Sequence, residues 1–265
     1  MPADYLALRE EAQALARQLF GEQAEKVSAF TDRLMDIYTR VRDKDFLLIH
    51  NPGGWGNNVL EHCIQWEKNV VTGTCATIER LGYTPLLVQH LRSGTSWRER
   101  MRDMRDQFGF FSDKARLLAT EVEFITRHLD NLKVVLIGAS QGAAFVNAVM
   151  QQLPKLQTVY SIELGMFFPY ISRRAITERT LSLDWNGMVP DAAVRRDIKA
   201  GVRAYTAAPF RWAGHWLRGR PVKFSNCVTV RGHNYDWGYP YVQRRVVGFL
   251  ETNFGNNTKG ELRMR

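Results

Sequence analysis

Cysteine is scarce in this chain. There are three in 265 residues (Cys63, Cys75 and Cys227), with no Cys-x-x-Cys pair and no histidine at metal-ligand spacing. That argues against a disulfide framework and a zinc site, so reduced and mostly buried thiols are expected. Long apolar runs are missing too: the longest span a handful of residues, against the roughly 18 that a membrane-crossing helix needs. No spanning segment is therefore expected. Met1 to Glu11 lack the basic start, apolar stretch and small-residue cleavage site of a secretory signal, so a cytoplasmic location is expected. Internal repeats, low-complexity tracts and nucleic-acid motifs are also lacking, and no nucleic-acid partner is expected.

The chain does have enough apolar residues for a sizeable core, 45% against 24% charged, which fits globular architecture. Its net charge of +9 is unevenly spread. Residues 1–50 hold 7 Lys/Arg against 9 Asp/Glu, whereas residues 195–265 hold 14 against 4. The C-terminal third is thus the basic end, suited to an anionic membrane surface or an acidic substrate.

The first 45 residues read as a helical extension. Val27, Phe30, Leu34, Ile37, Tyr38 and Val41 recur at three- and four-residue steps, and Gly21 separates this helix from one over 4–20. Phe46-Leu47-Leu48-Ile49 then forms a short apolar run ending in His-Asn-Pro-Gly-Gly, the pattern of a buried strand and a tight loop. Further strands are expected at Thr84–His90, Lys133–Gly138, Thr158–Glu163, Thr180–Trp185 and Lys223–Val230. Helices are expected over Leu60–Leu81, Ser112–Leu129 and Gln141–Gln152, with another near the C-terminus. Strand-helix alternation with connections too long for hairpins predicts an α/β fold, a three-layer sandwich around a mostly parallel six-stranded sheet. The domain would span 46–254, with 255–265 as a tail.

Gly138-Ala139-Ser140-Gln141-Gly142 lies where the strand ending Leu136-Ile137 meets a small-residue helix. This is the Gly-x-Ser-x-Gly nucleophile elbow. A serine on so sharp a turn needs small neighbours two positions away, hence Gly138 and Gly142. The amide of Gln141 and the dipole of the following helix would favour an oxyanion beside Ser140.

With these residues in place, the chain resembles the α/β-hydrolase superfamily over roughly 45–254, as a minimal lipase- or esterase-like member lacking the first two strands. The resemblance extends to His50-Asn51-Pro52-Gly53-Gly54-Trp55-Gly56, which looks like that superfamily's oxyanion loop. Pro52 has no amide hydrogen, so the second oxyanion donor is expected from Gly53 or a neighbouring amide. It also extends to Gly232-His233 after the last strand, which implies that His233 is the general base. The implied acid follows one of two strands: Glu163, or Asp184. Asn186 occupies the place four residues before Pro190 where an acid is common, which shifts preference to Glu163. Asp191 ranks a distant third, because an acid next to Pro190 at a helix start usually serves as a cap.

The resemblance implies a serine hydrolase cleaving a carboxylic ester or thioester through an acyl-enzyme, with no metal or organic cofactor. The rival is a non-catalytic binding or interaction module on the same fold. Trp55, Phe167 and Phe168 are candidate substrate contacts. Gly165–Arg174 and Ala208–Pro221 both suit an acyl pocket or lid. The second also reads as a membrane-surface element, with Trp212, Trp216 and Leu217 inward and Arg211, Arg218 and Arg220 toward headgroups, or as an ordinary packed helix with a basic edge.

Overall fold

The apolar runs pair side by side in a computed structural model that describes residues 3–54, 58–94, 96, 98, 101, 105–106, 109, 111–220, 222 and 227–255. Strands β1 (Phe46–Asn51), β2 (Pro85–Gln89), β3 (Lys133–Ala139), β4 (Val159–Leu164) and β5 (Thr180–Leu183) form one sheet in the order β2-β1-β3-β4-β5. Every pairing is parallel. The strands read as continuous apolar runs because both faces of the sheet are covered. Leu47, Ile49, Val134 and Leu136 face one layer, with α2 (Ala24–Val41), α4 (Ser112–His128) and α5 (Gln141–Gln152). Their alternates Phe46, Leu48, Val135 and Ile137 face α3 (Gln65–Arg80) and α7 (Pro240–Phe254). The result is the expected three-layer α/β/α sandwich.

The N-terminal helices are built into this arrangement. Helix α1 (Ala3–Phe20) contributes Leu8 and Ala12 to the first core, and α2 contributes Leu34, Met35, Ile37 and Val41. Burying each larger side chain is worth roughly 1.5–3 kcal/mol. Arg33 of α2 then forks onto the buried Glu121 of α4, donating from Nε at 3.0 Å and Nη2 at 3.2 Å, which sets the rotation of α2 against the sheet layer.

Two expectations on secondary structure need correction. The helix expected over Leu60–Leu81 is a 3-10 turn at Leu60–His62 followed by α3, because the chain is extended at Cys63 and Ile64 between them. The sixth strand, Lys223–Val230, is not found in the sheet. Residues 223–226 lie outside the described ones, and 227–230 pair with no strand. That segment is held instead from the side by Arg211, which donates to the Cys227 carbonyl and Thr229 Oγ1.

Parallel strands bring their C-terminal ends to one edge, and the register makes this concrete. Asn51 aligns with Gly138, Ala139 with Leu164, and Leu164 with Leu183. The loops after β1, β3, β4 and β5 therefore start side by side. The tightest crossing is at the elbow: a Cβ on Gly142 would lie 2.2 Å from the Asn51 carbonyl oxygen, and one on Gly138 would lie 2.4 Å from the Gly142 carbonyl oxygen. Both obstacles are backbone and cannot step aside. Gly142→Ala is therefore expected to destabilise by roughly 3 kcal/mol or more. Gly201→Ala, on an exposed helix with nothing within 4 Å, is expected to stabilise by about 0.5–1 kcal/mol. Urea unfolding of the two variants checks the contrast.

Candidate active site

Ser140 sits between β3 and α5 with φ 53 and ψ −114, one of three non-glycine residues with positive φ among those described. Such a conformation is costly for a side chain with a Cβ, and persists where surrounding contacts impose it. Here they do: the Ser140 amide donates to the Leu164 carbonyl at 2.8 Å, and the Ser140 carbonyl accepts from Ala143 and Ala144. The hydroxyl is thereby held clear at the head of α5, whose amino end carries partial positive charge.

His233 reaches the same edge from the loop before α7. Its Nδ1 lies 2.7 Å from Asp191 Oδ2, with the histidine 15% exposed and the aspartate fully buried. Tyr235 donates to that same oxygen at 2.6 Å. The other oxygen, Oδ1, accepts from the amides of Ala193 and Val194. Burial by itself would push the Asp191 carboxyl up, but hydrogen bonds from His233, Tyr235 and the Ala193 amide outweigh it and hold it below the ordinary aspartate value. An ionised carboxylate at Nδ1 makes that nitrogen the N–H donor and leaves Nε2 as the acceptor. Trp66 of α3 and Tyr235 meet the imidazole edge-on, at ring centroid distances of 6.3 and 6.1 Å.

Gly165 joins the two halves. It follows Leu164, whose carbonyl holds Ser140, and a Cβ at Gly165 would lie 2.7 Å from Asp191 Oδ2 and 2.9 Å from His233 Cε1. One residue therefore separates the serine's anchor from the imidazole. Among the described residues no hydrogen bond joins Ser140 Oγ to His233, and in substrate-free sites this contact is often open.

Neither acid favoured from sequence meets His233. Glu163 is buried between the sheet and α5, where its Oε1 accepts from Asn147 at 2.9 Å and from Ser161 at 3.3 Å. Asp184 forms a two-pronged ion pair with Arg174, at 3.1 and 2.8 Å. That Asp191 meets His233 instead has a clear cause: Asn186 builds the turn between them. Its Oδ1 accepts from Met188 and Val189 and its Nδ2 donates to the Asn234 carbonyl, folding the loop so that Asp191 arrives beside His233. No helix starts at Asp191 as the capping expectation required: its Oδ1 bonds the amides of a turn, and the next helix begins at Ile198 with Asp197 as its cap.

The loop after β1 is held by buried polar groups. Glu67 Oε1 accepts from the Gly53 amide at 3.0 Å and lies 2.9 Å from His50 Nε2, while His50 Nδ1 meets Gln89 Nε2 at 3.0 Å. Arg92 donates to the carbonyls of Pro52 and Gly54. The Gly53 amide, expected as an oxyanion donor, is thus committed to Glu67, although the residue does lie against the elbow, where its Cβ would come 3.2 Å from the Ala139 carbonyl oxygen. Gln141 occupies the first turn of α5, as expected. Phe167 and Phe168 are half-buried just past Gly165, edge-to-face at 4.9 Å, and the Phe168 amide donates to the Ala193 carbonyl. Trp55 lies outside the described residues.

The other histidines are elsewhere. His90 is half-buried and stacked on Phe145, and desolvation together with Arg33, Arg92 and Lys114 pushes its pKa down to about 3. His128 meets Glu11, and His62 and His215 are exposed. Among the described residues no group of three or more His, Cys, Asp or Glu is placed to hold a metal. The cysteine thiols of Cys63 and Cys75 are pushed up by burial, to about 12 and about 11.

Glu163 carries a consequence for stability. Burial raises its pKa from 4.5 to about 7, against the opposing pull of Asn147, Arg174 and Ser161, and its Oε2 has no partner among the described residues. The folded chain thus keeps this proton while the unfolded chain releases it, so stability falls as pH rises from 4.5 to about 7. Glu163→Gln keeps an acceptor for Asn147 and removes the ionisation. Its Tm is expected to exceed that of the unaltered chain by roughly 5 °C at about pH 8 and to converge with it near pH 4. Calorimetry across this range checks the sign.

No protein-family model matches the sequence, and no curated protein matches it. Among solved structures it is similar to a Trichoderma reesei cutinase in complex with a C11Y4 phosphonate inhibitor, at 13% identity and a TM-score of 0.47, with 92% of this chain and 98% of that chain covered. By its own strand order the chain has an α/β fold around a five-stranded parallel sheet, with the strained Ser140 after β3 and His233 after the last sheet strand.

Proposed function

We propose that the protein is a serine hydrolase of carboxylic esters or thioesters, with Ser140, His233 and Asp191 as its triad. The observation that carries the proposal is the meeting, at one sheet edge, of a strained serine at a helix head and a histidine oriented by a buried, ionised aspartate. In chain order these run serine, acid, histidine, the order of this elbow type.

In the proposed reaction Ser140 Oγ attacks the carbonyl carbon as His233 Nε2 takes its proton. Asp191 orients the ring through Nδ1–H and stabilises the imidazolium. The amide of Gln141 is one oxyanion donor. Since Glu67 engages Gly53, the amide of Gly54, next along the same loop, is assigned as the second. His233 returns the proton to the leaving alcohol or thiol, and water activated by the same ring then releases the acyl group. Phe167 and Phe168 supply an apolar wall for the acyl portion.

Labelling by a fluorophosphonate, read by intact mass, tests the proposal. One adduct per chain is expected, absent in Ser140→Ala and His233→Ala. Labelling of none of these by a folded protein would favour a binding module. On an ester and thioester panel, Asp191→Asn is expected to lower kcat by about 10³–10⁴-fold, while Glu163→Gln and Asp184→Asn change it by less than about tenfold. A reversed ranking would return the acid role to Glu163 or Asp184.

A further inference from the structure

Helix α6 (Ile198–Leu217) departs from the other helices in what it exposes. It rests on the protein through small residues, Ala204 and Ala208, which are its buried positions. None of the described helices is long and apolar enough to cross a membrane, yet the large apolar side chains of α6 face outward. Ile198, Val202, Tyr205, Pro209, Trp212 and Trp216 succeed one another at steps of four and three, which aligns them in one stripe along the helix. Ile198 is 71% exposed, Val202 58%, Tyr205 65% and Trp216 65%. Phe210 and Leu217, at 81% and 79% exposed, widen the stripe on one flank. Pro209, on the same stripe, is exposed as well.

Aligned apolar side chains left exposed mark an interaction surface, and the charges around them select the partner. Lys199, Arg203, Arg218 and Arg220 are all exposed on this helix or just past its end. No acidic residue occurs between Asp197, which caps the helix, and Asp236. A second copy packed on this stripe would bring these cations together with no carboxylate on the helix to answer them. An anionic bilayer answers all of them at once. Tryptophan and tyrosine also suit the level of the lipid headgroups, where an apolar ring and a polar N–H or O–H are both accommodated.

We infer that α6 is a bilayer-docking helix, lying in the headgroup region of an anionic membrane with its tryptophan stripe immersed and its arginines on the phosphates. The helix begins seven residues after Asp191, and Arg196 beside it stacks over Phe168. Docking would therefore hold the edge of the candidate site near the lipid surface. This inference does not depend on Ser140 being catalytic, since it concerns binding alone.

Co-sedimentation of the full chain with vesicles tests it, comparing phosphatidylcholine alone with phosphatidylcholine containing phosphatidylglycerol. Binding to the anionic vesicles is expected, weakened by salt. Val202→Asn/Trp216→Ser is expected to lower partitioning by about tenfold or more, and Arg203→Gln/Arg218→Gln by a similar factor. All four positions are exposed, and circular dichroism melts confirm that the variants fold. Failure to bind anionic vesicles would overturn the inference, as would binding indifferent to the apolar pair, which would reduce to charge alone. Self-association without lipid, abolished by Val202→Asn/Trp216→Ser, would overturn it in favour of a second copy.

Discussion

The carboxylate of Asp191 ties the turn after β5 to the loop that carries His233. It is fully buried and receives four donors: the amides of Ala193 and Val194 on one oxygen, His233 Nδ1 and the Tyr235 hydroxyl on the other. A buried charge without such partners would be expelled or neutralised. With them it stays ionised, caps the turn that leads toward α6, and anchors the loop that delivers the histidine. The backbone follows the same connection, since the Ala192 amide donates to the Arg231 carbonyl and Gly232 sits against the Pro190 carbonyl.

A comparable solution operates on the opposite flank of the elbow. There the loop after β1 must cross Gly142 at backbone contact distance, and a loose loop would not hold that position. Glu67, from α3, takes the Gly53 amide and His50 together, while Arg92 takes the carbonyls on either side of Gly53. Two buried side chains, Glu67 and Arg92, thus clamp one short loop. Helix α3 serves both flanks: Asn69 donates to Asp236, and Gly73 leaves room for the Trp237 ring on the histidine loop. The serine stands between two loops braced by a common helix.

Stability and site chemistry draw differently on buried carboxylates in this fold. Asp191 is satisfied on both oxygens and held ionised, whereas Glu163 is satisfied on one and driven toward its neutral form. Glu163 lies in β4 and Asp191 in the turn region after β5, and both are hidden from solvent. Their partners, not their depth, set their charge.

Much of this organisation was legible in the residues themselves. Strand and helix identities follow from apolar periodicity, the parallel sheet follows from their alternation, and the elbow follows from two glycines around Ser140, because each of these is governed by sterics within a few residues. Which carboxylate meets His233 is not a local matter. Asp191 and His233 are 42 residues apart, and their meeting depends on how Asn186 folds the intervening turn, which no spacing rule encodes. The commitment of the Gly53 amide to Glu67, the absence of 227–230 from the sheet, and the outward turn of the α6 tryptophans belong to the same class. Sequence alone determined which residues can do chemistry and on which elements they ride. Tertiary structure alone decided which of them meet, because hydrogen bonds between distant segments depend on the packed geometry of the whole sheet edge.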